Sequence, residues 1–290
     1  MLKTFYQYVS GLLTLIASII ALIFYFLDVN LSADGKFALY LISFFALTFF
    51  IENLYLRVSL KRRASYGDAL PYINDGFKEI HELIRCNKLE SDLIIAYLEK
   101  LCSELVSAFQ IITGVKCAVC IKLLRISNEE QKATLDNIGV YTLIRDHNSK
   151  SNRDFAVQDK ENFLIDNTAF LSIFNHLGLP KGNYFFSNML PLYKEYKNIS
   201  FKHYGEPYSK KILILGKVIR YIRWTLPYKS TIVVPICPGI QKQKIQNNFH
   251  GFLCVDSNRP FAFRRSYDTD LMMGVSDGIY NIIKNLKSLL

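Results

Sequence analysis

The stretch that decides the fold runs from Tyr228 to Ser257: "YKSTIVVPICPG" (228–239), a polar connection, then "HGFLCVDS" (250–257). Thr231 to Ile236 and Phe252 to Val255 are short apolar runs rich in β-branched residues and bounded by turn formers, which predicts two paired strands. Their connection, Pro238 to Asn248, carries Gly239, Lys242, Lys244 and the pair Asn247 and Asn248, and belongs in water. Downstream, "DSNRPFAF" (256–263) leads into a helix whose apolar side is Met272, Val275, Ile279, Ile282, Ile283 and Leu286.

Working upstream, "NYFFSN" (183–188) predicts a third strand, "KCAVCIKLLRI" (116–126) and "IGVYTLIRD" (138–146) two more. Asp166 and Asn167 stand where a helix running through His176 needs a cap, with Gly178 and Pro180 to end it. "HNSKSNRD" (147–154) reads as an exposed loop. Two longer helical stripes come first. One places Ile73, Phe77, Ile80 and Ile84 on a side; the other places Ile94, Leu98, Leu101, Leu105, Phe109 and Ile112, with Ser91 as N-cap and Gly114 as left-handed C-cap. Tyr66 to Pro71 reads as a short connector before them.

The fold class is therefore α+β, an antiparallel sheet flanked by helices. The order helix, helix, strand, strand, helix, strand, insert, strand, strand, helix resembles a GAF domain over about two hundred residues. The resemblance is carried by the strand with the apolar-Pro-apolar step at Val234, Pro235 and Ile236, the strand opening at Gly251, and the final helix. PAS-like sensors share the mixed architecture. The resemblance implies that the long helices lie on one sheet face and form a homodimer seam, and that a small-molecule ligand sits on the other face. It directs attention to Phe185, Ser187, Asn188, His203, Tyr204 and Tyr221 as ligand-binding candidates, beside the third strand and the insert at 189–227. That insert is basic and aromatic, and Ser209 to Trp224 has helical spacing with Ile212, Leu215, Ile219 and Ile222 on one side. It reads as a lid, an anion-binding or membrane-facing surface, or a plain amphipathic cover with its charges in water.

The N-terminal part is different in kind. Tyr8 to Leu27 has no charged residue, and at 1.5 Å per residue it nearly matches a hydrocarbon core of roughly 30 Å. Phe37 to Leu56 is nearly as apolar, interrupted only by Glu52 and Asn53 close to its end. Glu52 is read as hydrated at the interface rather than as part of a polar path, because Arg57, Lys61, Arg62 and Arg63 follow at once. The short, slightly acidic link and the basic cluster predict a two-helix transmembrane hairpin with both termini in the cytoplasm. The expected organisation is hairpin and basic juxtamembrane segment over 1–63, and a cytoplasmic GAF-like domain over 64–290. A cleaved signal peptide competes for the first span, but its apolar region is too long and a second span follows.

Of 35 Lys and Arg and 25 Asp and Glu, only two basic and three acidic residues precede Arg57, so the positive charge belongs to the C-terminal part. Next to a hairpin, an anionic lipid surface accounts for it without nucleic acid. Six cysteines in a cytoplasmic domain are expected to be reduced. Cys117 and Cys120 have CxxC spacing inside a strand, where residues three apart face opposite sides, so they do not form a shared metal site. The resemblance also extends to GAF-fold methionine sulfoxide reductases, which this spacing alone does not support. Cys237 and Cys254 read as small core residues. The five histidines are dispersed, and no P-loop, dinucleotide fingerprint or nucleophile elbow is present. Asp256 reads as an Asx cap of the turn after the last strand.

No catalytic residue, metal or cofactor is thus expected. The expected function is a membrane-anchored sensor of a small molecule, a nucleotide among the options, without its own catalytic output. Two alternatives stand beside it: a ligand-gated, membrane-perturbing effector of the kind found in bacterial defence, and a ligand-free scaffold or dimerisation module.

Overall fold

The computed structural model describes residues 33–86, 90–126, 138–150, 162–176, 184–207, 213–238 and 248–289. The chain divides into two compact units, Met1–Gly67 and Asp68–Leu290. The first expected span, Tyr8 to Leu27, lies outside the described residues, as does most of the 238–248 connection.

Helix α1 (Ala33–Cys86) contains one stretch, within Tyr40–Cys86, long and apolar enough to cross a membrane by length and composition. One such helix is therefore described where a two-helix hairpin was expected. In the first unit its large apolar side chains, Phe44, Phe45 and Tyr55 among them, are mostly exposed. Two polar side chains there bond their own helix: Thr48 Oγ1 donates to the Phe44 carbonyl and Asn53 Nδ2 to that of Phe49, at 2.8 and 3.0 Å. The expected connector at Tyr66 to Pro71 is helical instead. Proline removes one donor and crowds the carbonyl four residues back, yet Ala69, Ile73 and Ile80 bury their side chains on the helical stripe and hold the turn in place. Leu83 rather than Ile84 continues that stripe into the core.

The second unit is built on one five-stranded antiparallel sheet of order β2-β1-β5-β4-β3. Its strands are β1 (Cys117–Ile126), β2 (Ile138–Arg145), β3 (Phe185–Ser187), β4 (Ser230–Ile236) and β5 (Gly251–Ser257). The two decisive strands pair side by side, Ile232 opposite Val255 and Val234 opposite Leu253. Period two sends Val119, Ile121, Leu123, Ile232, Val234, Leu253 and Val255 to one face. All are essentially without exposure. Helices α2 (Ser91–Thr113) and, at the C-terminus, α7 (Arg265–Leu289) pack on the sheet. The apolar stripes read from the sequence are buried on both. Ser276 fixes α7 to the sheet through a buried 2.6 Å hydrogen bond from Oγ to the Pro235 carbonyl. Helix α2 closes as expected on Gly114, whose φ is +71° and whose N–H donates to the Gln110 carbonyl. At the other end the cap position is Glu90, not Ser91, and neither its side chain nor that of Asn167 before α4 makes a capping bond.

Between strands come α3 (His147–Lys150), α4 (Thr168–Asn175), α5 (Phe201–Tyr204) and α6 (Leu213–Ile222). The expected loop at 147–154 begins as the helical turn α3, because Asp146 caps it: Oδ1 accepts from the Ser149 N–H at 2.8 Å, and Oδ2 accepts from the Val119 N–H at 2.9 Å. The insert helix α6 ends before the expected Trp224, while its expected start at Ser209 lies outside the described residues. Ile222, placed on its buried side by spacing, is 72% exposed, because the helix ends there and Trp224 turns inward to donate to the Tyr228 carbonyl at 2.7 Å.

Two backbone-level features are testable. A Cβ on Gly251 would stand 2.0 Å from the Lys122 carbonyl oxygen and 2.9 Å from Leu123 Cα. Gly251→Ala is expected to cost at least about 3 kcal/mol in urea unfolding, since backbone on both strands must move. His250, stacked on Tyr280, has its pKa lowered to about 4 by burial and then by Lys287 and Lys284. Between pH 6.5 and 4 the unfolded chain then binds the extra proton, so stability falls as pH falls through that window. A His250→Phe variant should decline less steeply there, by about 1 kcal/mol once half-exposure is allowed for, in unfolding midpoints compared at pH 6.5 and 4.5.

Candidate functional site

The sheet face turned away from α2 and α7 carries the second hydrophobic cluster, with Phe170, Phe185, Tyr196, Phe201, Trp224 and Phe252 at its centre. Aromatic contacts knit this cover together: Phe170 stacks on Phe252 at 4.5 Å, and Trp224 meets Phe201 edge-on at 5.4 Å. Within this apolar setting one strip of the sheet is polar. Cys120 and Lys122 on β1, Arg145 on β2, Thr231 on β4, and Cys254 and Asp256 on β5 all line a cavity of about 50 Å3.

Strand register explains the strip. Cys120 stands opposite Arg145 on one side and Cys254 on the other, and Val233 follows Cys254, forming one row across four strands. Lys122 lies one row along, and Asp256 with Thr231 one row the other way. A shift in register between Ile121 and Lys122 lets both cations reach one oxygen: Thr142 Oγ1 accepts from Lys122 Nζ at 2.6 Å and from Arg145 Nη2 at 3.5 Å. Arg145 is only 5% exposed. At the opposite end Thr231 Oγ1 donates to Asp256 Oδ1 at 2.6 Å. Asp256 thus bonds across the strand pair, where the sequence suggested a turn cap.

The roof is made of side-chain amides. Asn167 Nδ2 donates to Asn162 Oδ1 at 2.6 Å, and Asn167 Oδ1 accepts from the Ile199 N–H at 3.3 Å. Asn198 Nδ2 donates to the Tyr228 hydroxyl at 3.0 Å and, more distantly, to that of Tyr196. Burial raises the Tyr196 pKa and keeps it a neutral phenol. Tyr228 and Asp256 also line a second, more open cavity of about 190 Å3 with Lys116, Ser149 and Tyr204. Tyr228 and Asp256 are thus common to an inner and an outer chamber.

The thiols on the floor differ from the rest. A hydrogen bond from Cys254, and then the charges of Arg145 and Lys122, hold Cys120 below the ordinary thiol range, and the same bond together with burial pushes Cys254 well up. Burial raises Cys102, and it moves Cys117 and Cys237 to about 11. Among the described residues no group of three or more His, Cys, Asp or Glu side chains could hold a metal ion.

None of the six residues singled out from the sequence lines the inner cavity, and only Tyr204 lines the outer one. Phe185 is buried and packs on Tyr193 and Tyr196, the latter a lining residue. Ser187 is buried at the edge strand, with its Oγ accepting weakly from the Met189 N–H. Asn188 clamps the loop before α7: Nδ2 donates to the Phe263 carbonyl at 2.6 Å, Oδ1 accepts from the Phe263 N–H at 3.0 Å, and its own carbonyl accepts from Phe261. His203 is exposed on α5, and Tyr204 lines the outer chamber. Tyr221 on α6 holds Lys229 Nζ 4.3 Å from its ring centroid. None of the inner chamber's residues was singled out as a ligand contact. Their signal is parity: Cys120 with Lys122, and Cys254 with Asp256, are polar groups two apart on mostly apolar strands.

No family model matches the chain, and no curated protein matches it. Solved structures do. A type II free methionine-R-sulfoxide reductase from Thermoplasma acidophilum is similar with a TM-score of 0.38 and 11% identity, over 67% of this chain and 96% of that one. The GAF domain of an Acinetobacter phosphoenolpyruvate-protein phosphotransferase is similar with a TM-score of 0.37 and 14% identity, over 74% and 94%.

The clamp gives a clean test of local structure. Asn188→Ala leaves a backbone N–H and a C=O of Phe263 without their partner and should cost about 2 kcal/mol, read as a lowered unfolding midpoint.

Proposed function

We propose that this chain is a membrane-anchored, GAF-like receptor whose inner cavity holds a small anion. The observation that carries the reading is the convergence of Lys122 Nζ and Arg145 Nη2 on the single oxygen of Thr142, at the floor of a cavity roofed by amides. Lys122 and Arg145 both line the cavity, so two cationic donors border the same small space beneath the amide roof. A small oxyanion or carboxylate at the Lys122 and Arg145 end would accept from both cations, and Arg145 suits a planar two-oxygen partner.

Size decides between ligand classes. A cavity of about 50 Å3 has room for roughly three to five waters at ~10–15 Å3 each, whereas pockets for drug-sized ligands run to about 300–1,000 Å3. A nucleotide, one of the options raised by the sequence, does not fit this closed form. An anion of a few heavy atoms does. Extension toward the outer chamber would pass Tyr228 and Asp256, which line both.

The anchor reading rests on α1. Its exposed aromatic and aliphatic side chains form a contiguous apolar surface far larger than isolated exposed residues produce. Its internally bonded Thr48 and Asn53 suit hydrocarbon, where side-chain polar groups have no water. On this reading the second unit faces the cytoplasm, signals without a catalytic output of its own, and pairs with a second copy through exposed apolar residues such as Leu70 and Ile84.

One experiment tests receptor and anchor together. The full chain should stay in the membrane pellet after alkaline carbonate extraction, and after detergent solubilisation native mass spectrometry should reveal a small anionic compound retained one per chain. Arg145→Gln should reduce that occupancy at least tenfold while circular dichroism stays unchanged. Recovery in the carbonate supernatant would overturn the anchor. Equal occupancy in the variant, or an occupied wild-type chain carrying only neutral compounds, would overturn the anion site.

A further inference from the structure

Cys120 and Cys254 face each other across β1 and β5 as direct register partners, and both line the inner cavity. Opposed residues of an antiparallel ladder lie about 4.5–5.5 Å apart at Cα, inside the ~4.4–6.8 Å that a disulfide spans. Both are free thiols, 3% and 4% exposed, so the cavity is the approach through which a solute reaches them. Cys117, although it shares the CxxC spacing, points to the other side of β1 and lines only the outer chamber. Lys122 and Arg145 flank the pair along the strip, and their charges favour a thiolate on Cys120. A thiol beside two cations has the surroundings that make a thiolate nucleophile. The bland alternative, two small core residues, accounts for their burial. It does not account for their being opposed, beside cations and on a cavity wall at once.

We propose that Cys120 and Cys254 form an oxidisable dithiol whose substrate is a small hydroperoxide admitted to the cavity. The Cys120 thiolate attacks one peroxide oxygen, the O–O bond breaks, and the departing hydroxide takes up the proton that Cys120 released, leaving water and a sulfenic acid on Cys120. The Cys254 sulfur then attacks Cys120 Sγ. The S–S bond forms, the S–O bond breaks, and the hydroxyl leaves as a second water with the Cys254 proton. Two thiols lose two electrons in all, and one hydrogen peroxide becomes two waters. The cavity admits hydrogen peroxide, a molecule of two heavy atoms, and excludes a bulky aryl hydroperoxide. This inference rests on the geometry of the cavity floor and not on which anion, if any, the cavity retains, because its readout is the thiols themselves.

The test uses the full chain in detergent, fully reduced, exposed to one equivalent of hydrogen peroxide, then alkylated, digested and mapped by mass spectrometry. The expected product is a peptide pair linking Cys120 to Cys254, released by dithiothreitol, with fragment spectra that separate Cys120 from Cys117 on their shared tryptic peptide. In Cys254→Ser, dimedone should trap a sulfenic acid on Cys120. Cumene hydroperoxide should form the link at least tenfold more slowly than hydrogen peroxide. Alkylatable Cys120 and Cys254 in a chain whose exposed Cys86 has been oxidised would overturn the proposal, and so would equal rates with the two peroxides. Should the serine variant fail to fold, the wild-type peptide map decides alone.

Discussion

Everything in the second unit follows from burying β4 and β5 on both faces. All seven positions of β4 are buried, and six of the seven on β5. A strand with period-two side chains and no solvent face needs two covers. Helices supply the first, because the long apolar stripes of α2 and α7 are continuous enough to lie flat on a sheet. The second cover is mostly irregular backbone, running through 184–207 and 224–228 between short helical turns. Irregular backbone brings unpaired N–H and C=O groups into the interior unless side chains answer them.

That requirement explains the asparagines. Asn167 receives the Ile199 N–H, Asn198 receives the Ser200 N–H at 2.9 Å, and Asn188 answers both polar groups of Phe263. An amide carries a donor and an acceptor on one short side chain, so it satisfies backbone and still presents a polar group to whatever lies beneath. A cover held in this way cannot press on the sheet as closely as interlocking aliphatic residues do. The cavity is the gap that remains, and the polar strip of β1, β2, β4 and β5 is the floor such a gap tolerates.

How much of this was legible follows the range of the interactions. The stripe from Met272 to Leu286 and the pairing of Thr231–Ile236 with Phe252–Val255 are local patterns, and they reappear in the structure with little change. Gly114 declared its left-handed cap because only local sterics are involved. Pro71 misled, since the rule against proline in helices weighs a local cost, while the burial of Ala69, Ile73 and Ile80 is tertiary. Ile222 misled for the opposite reason: helical spacing was right, but the helix stopped there and Trp224 took the inward position. The cavity was hardest. Lys122, Arg145 and Cys254 come from three separated strands that only the sheet order brings together, and Asn198 reaches them from the irregular cover above. What the sequence does carry is the polar pair two apart, on β1 and again on β5. Read as alternation rather than as CxxC spacing or as a turn cap, it marks one sheet face as something other than core.

The two proposals share their electrostatics, and that ties them together. Lys122 and Arg145 are the groups that would hold an anion, and they are also the charges that favour a thiolate on Cys120. An anion bound at the cations would offset their field at Cys120 and occupy the space a peroxide must enter, while a thiolate would draw on the same cations. By linkage the disfavour is mutual: whatever factor the anion imposes on forming the thiolate, the thiolate imposes on binding the anion. Formation of the disulfide removes the thiolate's charge altogether and leaves the cations without it. An oxidised floor is therefore the better anion binder on electrostatic grounds, so the same cavity would report oxidation as a change in affinity without any strand having to leave the sheet.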